Sequence, residues 1–178
     1  MRFIHGVLCM LDKKLKDIKM LILDVDGVMT DGRIYMNDQG EETKAFNVKD
    51  GYGIRLLLEA GIDVAIITGR KSGVVDRRAK DLGIRFVYQG VSDKKAVGIG
   101  LLAERRLTGD QTCYIGDDLP DLPLLRYVGL PVAVADAVKE VRDDALYVTR
   151  KNGGEGAVRE ICELILKAQG LWPLKDSI

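Results

Sequence analysis

Short apolar runs alternate with longer segments of helical periodicity along most of this 178-residue chain. The apolar runs predict strands, and the segments between them carry apolar residues at the spacing of one helix face. The predicted strands are 20–25, 63–68, 84–88, 111–115, 130–134 and 146–148, and the predicted helices are 51–60, 72–82, 94–105, 119–127, 137–143 and 156–169. This alternation predicts an α/β fold, a doubly wound and mostly parallel sheet with helices on both faces.

One segment departs from the alternation. Residues 31–48 contain two alternating stretches on either side of Asn37–Gly40, which predicts a β-hairpin after the first strand instead of a crossover helix. Neither a linker nor an internal repeat marks a domain boundary. We therefore expect a single domain over residues 1–178, with a loose N-terminal arm at 1–17 and a tail at 170–178.

Composition narrows the partners and the compartment. Lys plus Arg and Asp plus Glu both number 27, so no excess charge favours nucleic acid or a membrane surface. The N-terminal apolar stretch is short and is broken by His5 and Gly6, which argues against a signal peptide or a membrane span. The cysteines Cys9, Cys113 and Cys162 are odd in number and widely spaced, as is typical of reduced thiols in a cytoplasmic protein.

The scarcity of histidine limits the chemistry. His5 is the only histidine, and it lies in the predicted loose N-terminal arm, so Ser-His and Cys-His catalysis lack a plausible base. Zinc sites lack suitably spaced Cys and His ligands. Aspartate is plentiful, and its hard oxygen atoms suit Mg²⁺.

Polar residues follow four of the predicted strands at the point where each strand ends. In chain order these are Asp24, Asp26 and Gly27; Thr68, Gly69 and Arg70; Lys94; and Asp117, Asp118 and Asp121. Because the carboxyl ends of parallel strands meet at one edge, where open α/β sheets bind their ligands, we expect one shared cleft.

Each group also has an ordinary structural interpretation when it is taken alone. Thr68 with Gly69 is compatible with a helix cap, Lys94 with a solvated side chain, and the later aspartates with a polar turn. Their common position at one sheet edge favours phosphoryl transfer over these separate interpretations.

The chemistry follows from charge. A carboxylate that attacks a phosphate monoester meets strong repulsion, which Mg²⁺ held by Asp24 and Asp117 would offset. Lys94 would add a positive charge, and the Thr68 hydroxyl would bind a phosphate oxygen. Asp24 would then serve as the nucleophile, and Asp26 would protonate the leaving group and later activate water.

These motifs resemble the four motifs of the haloacid dehalogenase-like phosphatases over nearly the whole chain after residue 17. The resemblance implies a Rossmann-like core in which Gly27 and Gly69 adjoin the phosphate and Asp26 also offers its carbonyl to Mg²⁺. It implies supporting roles for Asp118 and Asp121. The gaps between the motifs leave no room for the separate cap domain of many relatives, so we expect a capless form.

Four further segments resemble the bacterial 3-deoxy-D-manno-octulosonate 8-phosphate (KDO 8-phosphate) phosphatases, namely 46–54, 68–71, 88–90 and 150–160. This resemblance implies a sugar acid phosphate substrate, a step in lipopolysaccharide synthesis, and a homotetramer that associates through its hairpins. Phosphatases for nine-carbon keto-deoxy sugar acids are almost as similar, but they tend to carry Glu at the position of Arg70 and a basic residue at that of Asp81. Arg70 therefore favours the eight-carbon substrate.

The resemblance also implies that Arg78, on the helix after Thr68, binds the substrate carboxylate, and guanidinium groups pair well with carboxylates. The alternative is an ordinary solvated arginine on the helix surface. The main alternative outside enzymes is a receiver-type signalling module, which also uses Asp, Thr and Lys on a doubly wound sheet. In such modules the acceptor Asp follows a middle strand, whereas Asp24 and Asp26 here follow the first. A catalytically silent phosphate-binding protein is the other alternative, although every predicted catalytic position is filled.

Overall fold

The structure is a computed structural model that describes residues 2–172, with side chains described from residue 10 onward. Its strands are β1 (Met20–Leu23), β2 (Tyr35–Met36), β3 (Glu42–Thr43), β4 (Asp63–Ile67), β5 (Phe86–Tyr88), β6 (Thr112–Gly116), β7 (Leu130–Ala133) and β8 (Tyr147–Val148). Its α-helices are α1 (Arg2–Asp17), α2 (Val48–Glu59), α3 (Gly73–Leu82), α4 (Lys94–Arg105), α5 (Leu122–Leu125), α6 (Lys139–Asp144) and α7 (Ala157–Ala168).

Six strands form one parallel sheet in the order β5-β4-β1-β6-β7-β8. Helix α2 contacts α3 and α7, and α1 also contacts α7, whereas α4, α5 and α6 form a second connected group that contacts β6 and β7. These two groups are the layers that a doubly wound sheet requires. The predicted fold class is confirmed.

The central strand determines where the polar residues lie. All four residues of β1 are buried, because neighbouring strands pair with both of its edges and helices cover both faces. Leu23 pairs with Ile66 of β4 and with Ile115 of β6. The residues that follow these strands therefore emerge at one level of the sheet, and the change of strand order beside β1 makes this edge a ligand-binding crevice.

The predicted hairpin is also confirmed. Strands β2 and β3 pair antiparallel, with Tyr35 opposite Thr43. Between them the Asn37 side chain accepts hydrogen bonds from two backbone N–H groups, and Gly40 has a φ of +78°. The side-chain acceptor and the left-handed glycine together close the turn.

Helix α2 begins three residues earlier than the predicted helix at 51–60. Asn47 caps it, since its side chain accepts a hydrogen bond from Lys49 N at 2.8 Å. The glycines in its first turns obscured the helical pattern, but they have a packing role. A Cβ added at Gly53 would lie 3.0–3.3 Å from atoms of Arg159 and Cys162, so this glycine allows α2 to pack closely on α7.

The predicted helix at 119–127 is shorter in the structure. It consists of a 3-10 turn at Leu119–Asp121 followed by the single-turn helix α5. Pro120 and Pro123 explain the difference, because each lacks the backbone N–H that a longer regular helix would use.

Residues 1–17, expected as a loose arm, contain helix α1. Leu15 is buried, and Gln169 Nε2 donates hydrogen bonds to the carbonyls of Leu15 and Ile18 at 3.0 and 2.9 Å. The end of α1 is thus satisfied by a side chain just beyond α7, a long-range contact that local sequence does not display.

Most of the predicted tail at 170–178 lies outside the described residues, which end at Trp172. Trp172 packs on the core, and the guanidinium of Arg159 lies 5.0 Å from the centre of its ring. Across residues 2–172, no helix combines the length and apolar character that crossing a bilayer requires.

A late loop supports the turn that follows β1. A Cβ added at Gly153 would lie 1.7 Å from the carbonyl oxygen of Gly27. Gly154 N also donates a hydrogen bond to Val28 O at 3.0 Å, and Asp136 accepts one from Gly153 N at 2.9 Å. The two backbones are in direct contact, so only glycine fits at position 153.

Replacing Gly153 with Ala is expected to destabilise the protein by about 3 kcal/mol or more, because backbone and not a flexible side chain occupies the space. The control is Gly100→Ala in α4, where an added Cβ meets nothing within 4 Å. That change should stabilise the protein by about 0.5–1 kcal/mol through helix propensity. Urea unfolding measures both values, and similar stabilities for the two variants would contradict this interpretation.

Candidate active site

A tight turn after β1 places the first two predicted site residues. The backbone N–H groups of residues 28–30 all point to the Val25 carbonyl, at 2.9–3.2 Å. Gly27 has a φ of +87°, and a Cβ added there would lie 2.0 Å from Asp117 Oδ2. Gly27 therefore allows both the turn and the close approach of Asp117.

Asp121 is the most highly bonded side chain of the site. It is fully buried, and its Oδ1 accepts hydrogen bonds from Lys94 Nζ at 2.5 Å and from the Tyr114 hydroxyl at 2.7 Å. Its Oδ2 accepts from the backbone N–H groups of Asp117 and Asp118, at 2.8 and 3.2 Å. With two donors on each oxygen, Asp121 is saturated as an acceptor and rigidly fixed.

Lys94 lies at the first turn of α4 and is buried with its charge paired. Its Nζ lies 3.0 Å from Asp24 Oδ1, in addition to its hydrogen bond with Asp121. Burial favours the neutral amine, but the Asp24 and Asp121 carboxylates outweigh that effect and raise the pKa of Lys94. The ammonium group is thus a fixed positive charge between two carboxylates.

Asp24 and Asp117 are held beside each other at the ends of β1 and β6. Burial, followed by the charge of Asp121, raises the pKa of Asp24 to about 6 against the opposing effect of Lys94. Burial and the carboxylates of Asp121 and Asp24 raise the pKa of Asp117 to about 8. Both shifts express the cost of concentrating negative charge away from water.

The carboxylate cluster fits a hard divalent cation. One oxygen from each of Asp24, Asp117 and Asp121 lies within 4.8 Å of the other two. Asp117 Oδ1 is buried without a hydrogen-bond partner, and Asp24 Oδ1 approaches Lys94 without hydrogen-bond alignment. Because Asp121 already accepts four donors, Asp24 and Asp117 are the side chains that retain capacity to bind a cation.

The remaining predicted residues lie around the same pocket, whose volume is about 570 Å³. Thr68 is buried at the end of β4, and it is followed by Gly69 and the half-exposed Arg70. The pocket is lined by Asp24, Asp26, Gly32, Thr68, Gly69, Arg70, Val91, Ser92, Lys94, Asp117, Asp118, Pro120 and Asp121. The four predicted strand ends therefore meet, as the parallel topology requires.

Arg78 is the exception. It does not line this pocket, so the structure does not bring it to the site of its own chain. Its guanidinium lies 5.6 Å from the centre of the Phe46 ring and against Gly51 of α2. The helical position after Thr68 suggested proximity to the site, but the turn of α3 directs Arg78 towards α2.

The hairpin contributes two residues that the sequence did not identify. The Lys44 ammonium forms an ion pair with Asp26 Oδ1 and lies 3.2 Å from Glu42 Oε1. Arg70 Nη2 donates to the same Glu42 oxygen at 2.7 Å, and Arg70 Nε lies 3.5 Å from Asp26 Oδ2. A network of four alternating charges thus connects the hairpin to the turn after β1 and the loop after β4.

Tyr114 was also missed, because a tyrosine inside an apolar strand is typical of core packing. Its pKa is raised well above the usual value by burial and by the nearby carboxylates, so the hydroxyl stays protonated and donates to Asp121. The sequence gives even less indication of a functional role for Lys44 and Glu42 than for Tyr114. They are charged residues in an alternating hairpin, where solvated side chains are common.

Comparison with known proteins agrees with this geometry. The profile of the haloacid dehalogenase-like hydrolases matches residues 88–161. The chain is 58% identical over 153 residues to the 3-deoxy-D-manno-octulosonate 8-phosphate phosphatase KdsC of Yersinia pestis, covering 86% of this chain and 82% of that protein. It is 54% identical over 157 residues to KdsC of Escherichia coli K12, covering 88% and 84%.

A solved structure is similarly close. The 3-deoxy-D-manno-octulosonate 8-phosphate phosphatase of Moraxella catarrhalis, in complex with magnesium ion, phosphate ion and KDO, is 48% identical and superposes with a TM-score of 0.89. The match covers 90% of this chain and 92% of that one. The resemblance inferred from the motifs is therefore confirmed, and the chain belongs to the haloacid dehalogenase-like hydrolases, in the family of the KDO 8-phosphate phosphatases.

Proposed function

We propose that this protein is a Mg²⁺-dependent phosphomonoesterase that hydrolyses KDO 8-phosphate to KDO and phosphate. The observation that carries the proposal is the cluster of Asp24, Asp117 and Asp121 at the end of the central strand, with Lys94 paired to Asp24 and Asp121. Relatives at 54–58% identity are named for this activity. Membership of a hydrolase family, with these positions filled, also argues against a receiver-like or silent protein.

The residues fit a bound Mg²⁺ ion. Asp24 and Asp117 would hold it through their carboxylates, and we assign the backbone carbonyl of Asp26 as a further ligand. The partnerless, buried Oδ1 of Asp117 supports this assignment, since such an atom is costly without a cation or donor. Bound there, Mg²⁺ supplies positive charge that offsets repulsion between the phosphate and the carboxylates.

The first chemical step uses Asp24 as the nucleophile. A carboxylate oxygen of Asp24 attacks phosphorus, and the bond between phosphorus and the sugar oxygen breaks. Asp26 donates a proton to the departing alkoxide. Lys94 steadies the Asp24 carboxylate and the phosphoryl oxygens, while Thr68 and the backbone of Gly69 bind the phosphate.

The second step releases phosphate. Asp26, now a carboxylate, accepts a proton from water as the water oxygen attacks phosphorus of the aspartyl phosphate. The bond between phosphorus and Asp24 breaks, which restores the free carboxylate of Asp24. Asp121 and Asp118 support both steps by fixing Lys94 and the turn that carries Asp117.

Substrate selection is assigned to Arg70. It lies at the pocket with its side chain half exposed, so its guanidinium can contact a ligand carboxylate. Arg70 also replaces the Glu expected in phosphatases for nine-carbon acids, which favours the eight-carbon substrate. Arg78 lies outside the pocket and could reach substrate only in the site of a neighbouring subunit.

We further propose a cytoplasmic homotetramer assembled through the hairpins. Ile34, Tyr35 and Met36 are 49%, 45% and 65% exposed, a concentration of apolar surface that association would bury. Sedimentation of the intact protein measures this assembly, and a monomer at micromolar concentration would argue against it.

Replacing Asp24 with Asn should lower kcat on KDO 8-phosphate by about 10⁴-fold or more, because the nucleophile is lost. The control is Asp143→Asn, which changes an exposed ion pair with Lys139 at the surface. Circular dichroism establishes that both variants fold. Full activity of the Asp24 variant would disprove the covalent mechanism.

The metal-free protein should lose stability as pH rises from about 4 to about 8. Asp24 and Asp117 have raised pKa values in the folded state, so their stabilising contribution is complete below the unfolded pKa and is lost through the folded ones. Lys94 and Asp121 are the charged groups that face them.

Added Mg²⁺ should raise the melting temperature more at pH 8 than at pH 5.5, and at 100 times its dissociation constant it adds about 2.7 kcal/mol. An equal Mg²⁺ effect at both pH values would contradict the assigned ligands.

Replacing Arg70 with Ala should raise KM for KDO 8-phosphate by about 10- to 100-fold, because a charged hydrogen bond to the carboxylate is lost. The KM for p-nitrophenyl phosphate, which has no carboxylate, should change far less. Arg78→Ala is the matched arginine control. A selective loss in the Arg78 variant alone would transfer carboxylate recognition to that residue, and faster hydrolysis of a nine-carbon acid phosphate would overturn the substrate assignment.

A further inference from the structure

Lys44 is a buried lysine in a hairpin that is otherwise largely exposed. Its side chain is only 1% exposed, whereas lysine normally keeps its ammonium group in water. It follows β3 directly, and its ammonium group contacts Asp26 and lies 3.2 Å from Glu42. Burying this charge is costly unless its partners compensate, so the location requires an explanation.

The contacts of Lys44 fix the orientation of one particular carboxylate. Lys44 binds Oδ1 of Asp26, while Arg70 Nε lies 3.5 Å from Oδ2. With a cation at each oxygen, rotation of the Asp26 carboxylate about its terminal bond is restrained. Asp26, the side chain assigned to proton transfer, is therefore oriented by Lys44 of the hairpin and by Arg70 of the loop after β4.

Glu42 supports the two cations without contacting Asp26. Its Oε1 accepts from Arg70 Nη2 at 2.7 Å and lies close to Lys44. A hydrogen bond from the Ser72 side chain lowers the pKa of Glu42 despite partial burial, and Lys44 and Arg70 lower it further. The Glu42–Arg70 pair is therefore a second contact between the hairpin and the β4 loop, and it does not involve Asp26.

We propose, on the basis of the phosphatase function above, that Lys44 is a positioning residue that holds the Asp26 carboxylate in line with the leaving-group oxygen. The hairpin is then part of the proton-transfer apparatus as well as an association surface. Such a role affects only leaving groups that need a proton. The C8 alkoxide of KDO is a poor leaving group and requires one, whereas p-nitrophenolate is a stable anion and departs without one.

The test compares these two leaving groups in Lys44→Met, which keeps an unbranched side chain as far as the Cε position and removes the ammonium group. We expect kcat/KM for KDO 8-phosphate to fall by about 100-fold, the lower range for loss of general acid catalysis. We expect kcat/KM for p-nitrophenyl phosphate to change by less than about twofold, because this parameter reports only the steps through cleavage of the phosphate ester. Lys44→Arg should restore most of the activity on KDO 8-phosphate. Lys80→Met, an exposed lysine of α3, is the matched control and should leave both substrates unaffected.

Equal losses on both substrates, or no loss on either, would overturn the proposal, as would failure of Lys44→Arg to restore selectivity. If Lys44→Met does not fold, the double variant Lys44→Met with Glu42→Gln removes one charge of each sign and should show the same selective loss. Equal losses in the folded double variant would likewise overturn the positioning role. None of these results depends on the Asp24 variant, whose retained activity would instead disprove the phosphatase mechanism.

Discussion

The site depends on one imbalance of charge, in which a cluster of three carboxylates contains a single ammonium group, paired with two of them. Asp24, Asp117 and Asp121 lie together, and Lys94 pairs with Asp24 and Asp121. Asp24, Asp121 and Lys94 are buried, whereas Asp117 is partly exposed. Such an arrangement is unfavourable in isolation, and the raised pKa values of Asp24 and Asp117 express that cost. The rest of the fold supplies the compensating constraints, including the donors that saturate Asp121 and the backbone contacts that press Gly27 towards Asp117.

This imbalance also explains why the aspartates of the site have different roles. Asp121 accepts four hydrogen bonds and is a fixed structural anion, whereas the carboxylates of Asp24 and Asp117 keep unfilled acceptor positions. Asp26 lies outside the group and is paired instead with Lys44 and Arg70. One sheet edge therefore holds carboxylates in three different environments, which is how a site assigns separate tasks to one residue type.

The sequence was sufficient for the parts of the site that follow from strand topology. Asp24, Thr68, Lys94 and Asp117 each come after a strand, and the rule that parallel strands share an edge brings them together. Lys44 was not predictable in this way, because its position depends on how the hairpin folds back over the turn after β1. Arg78 differs in that the structure does not place it at the pocket of its own chain, and its substrate role stays a prediction. Proximity to Thr68 along the chain suggested a place at the site, but the rotation of the helix turned its side chain towards α2.

The contact between Gly153 and the Gly27 carbonyl has a consequence for synthesis of the protein. The turn that carries Asp24 and Asp26 is translated before the backbone of Gly153 and Gly154 that supports it. A domain generally folds as a unit. The turn after β1 therefore cannot reach its final packing until the loop that contains Gly153 has left the ribosome. Interrupted translation would thus release fragments that contain Asp24 and Asp26 but lack the backbone that supports their turn.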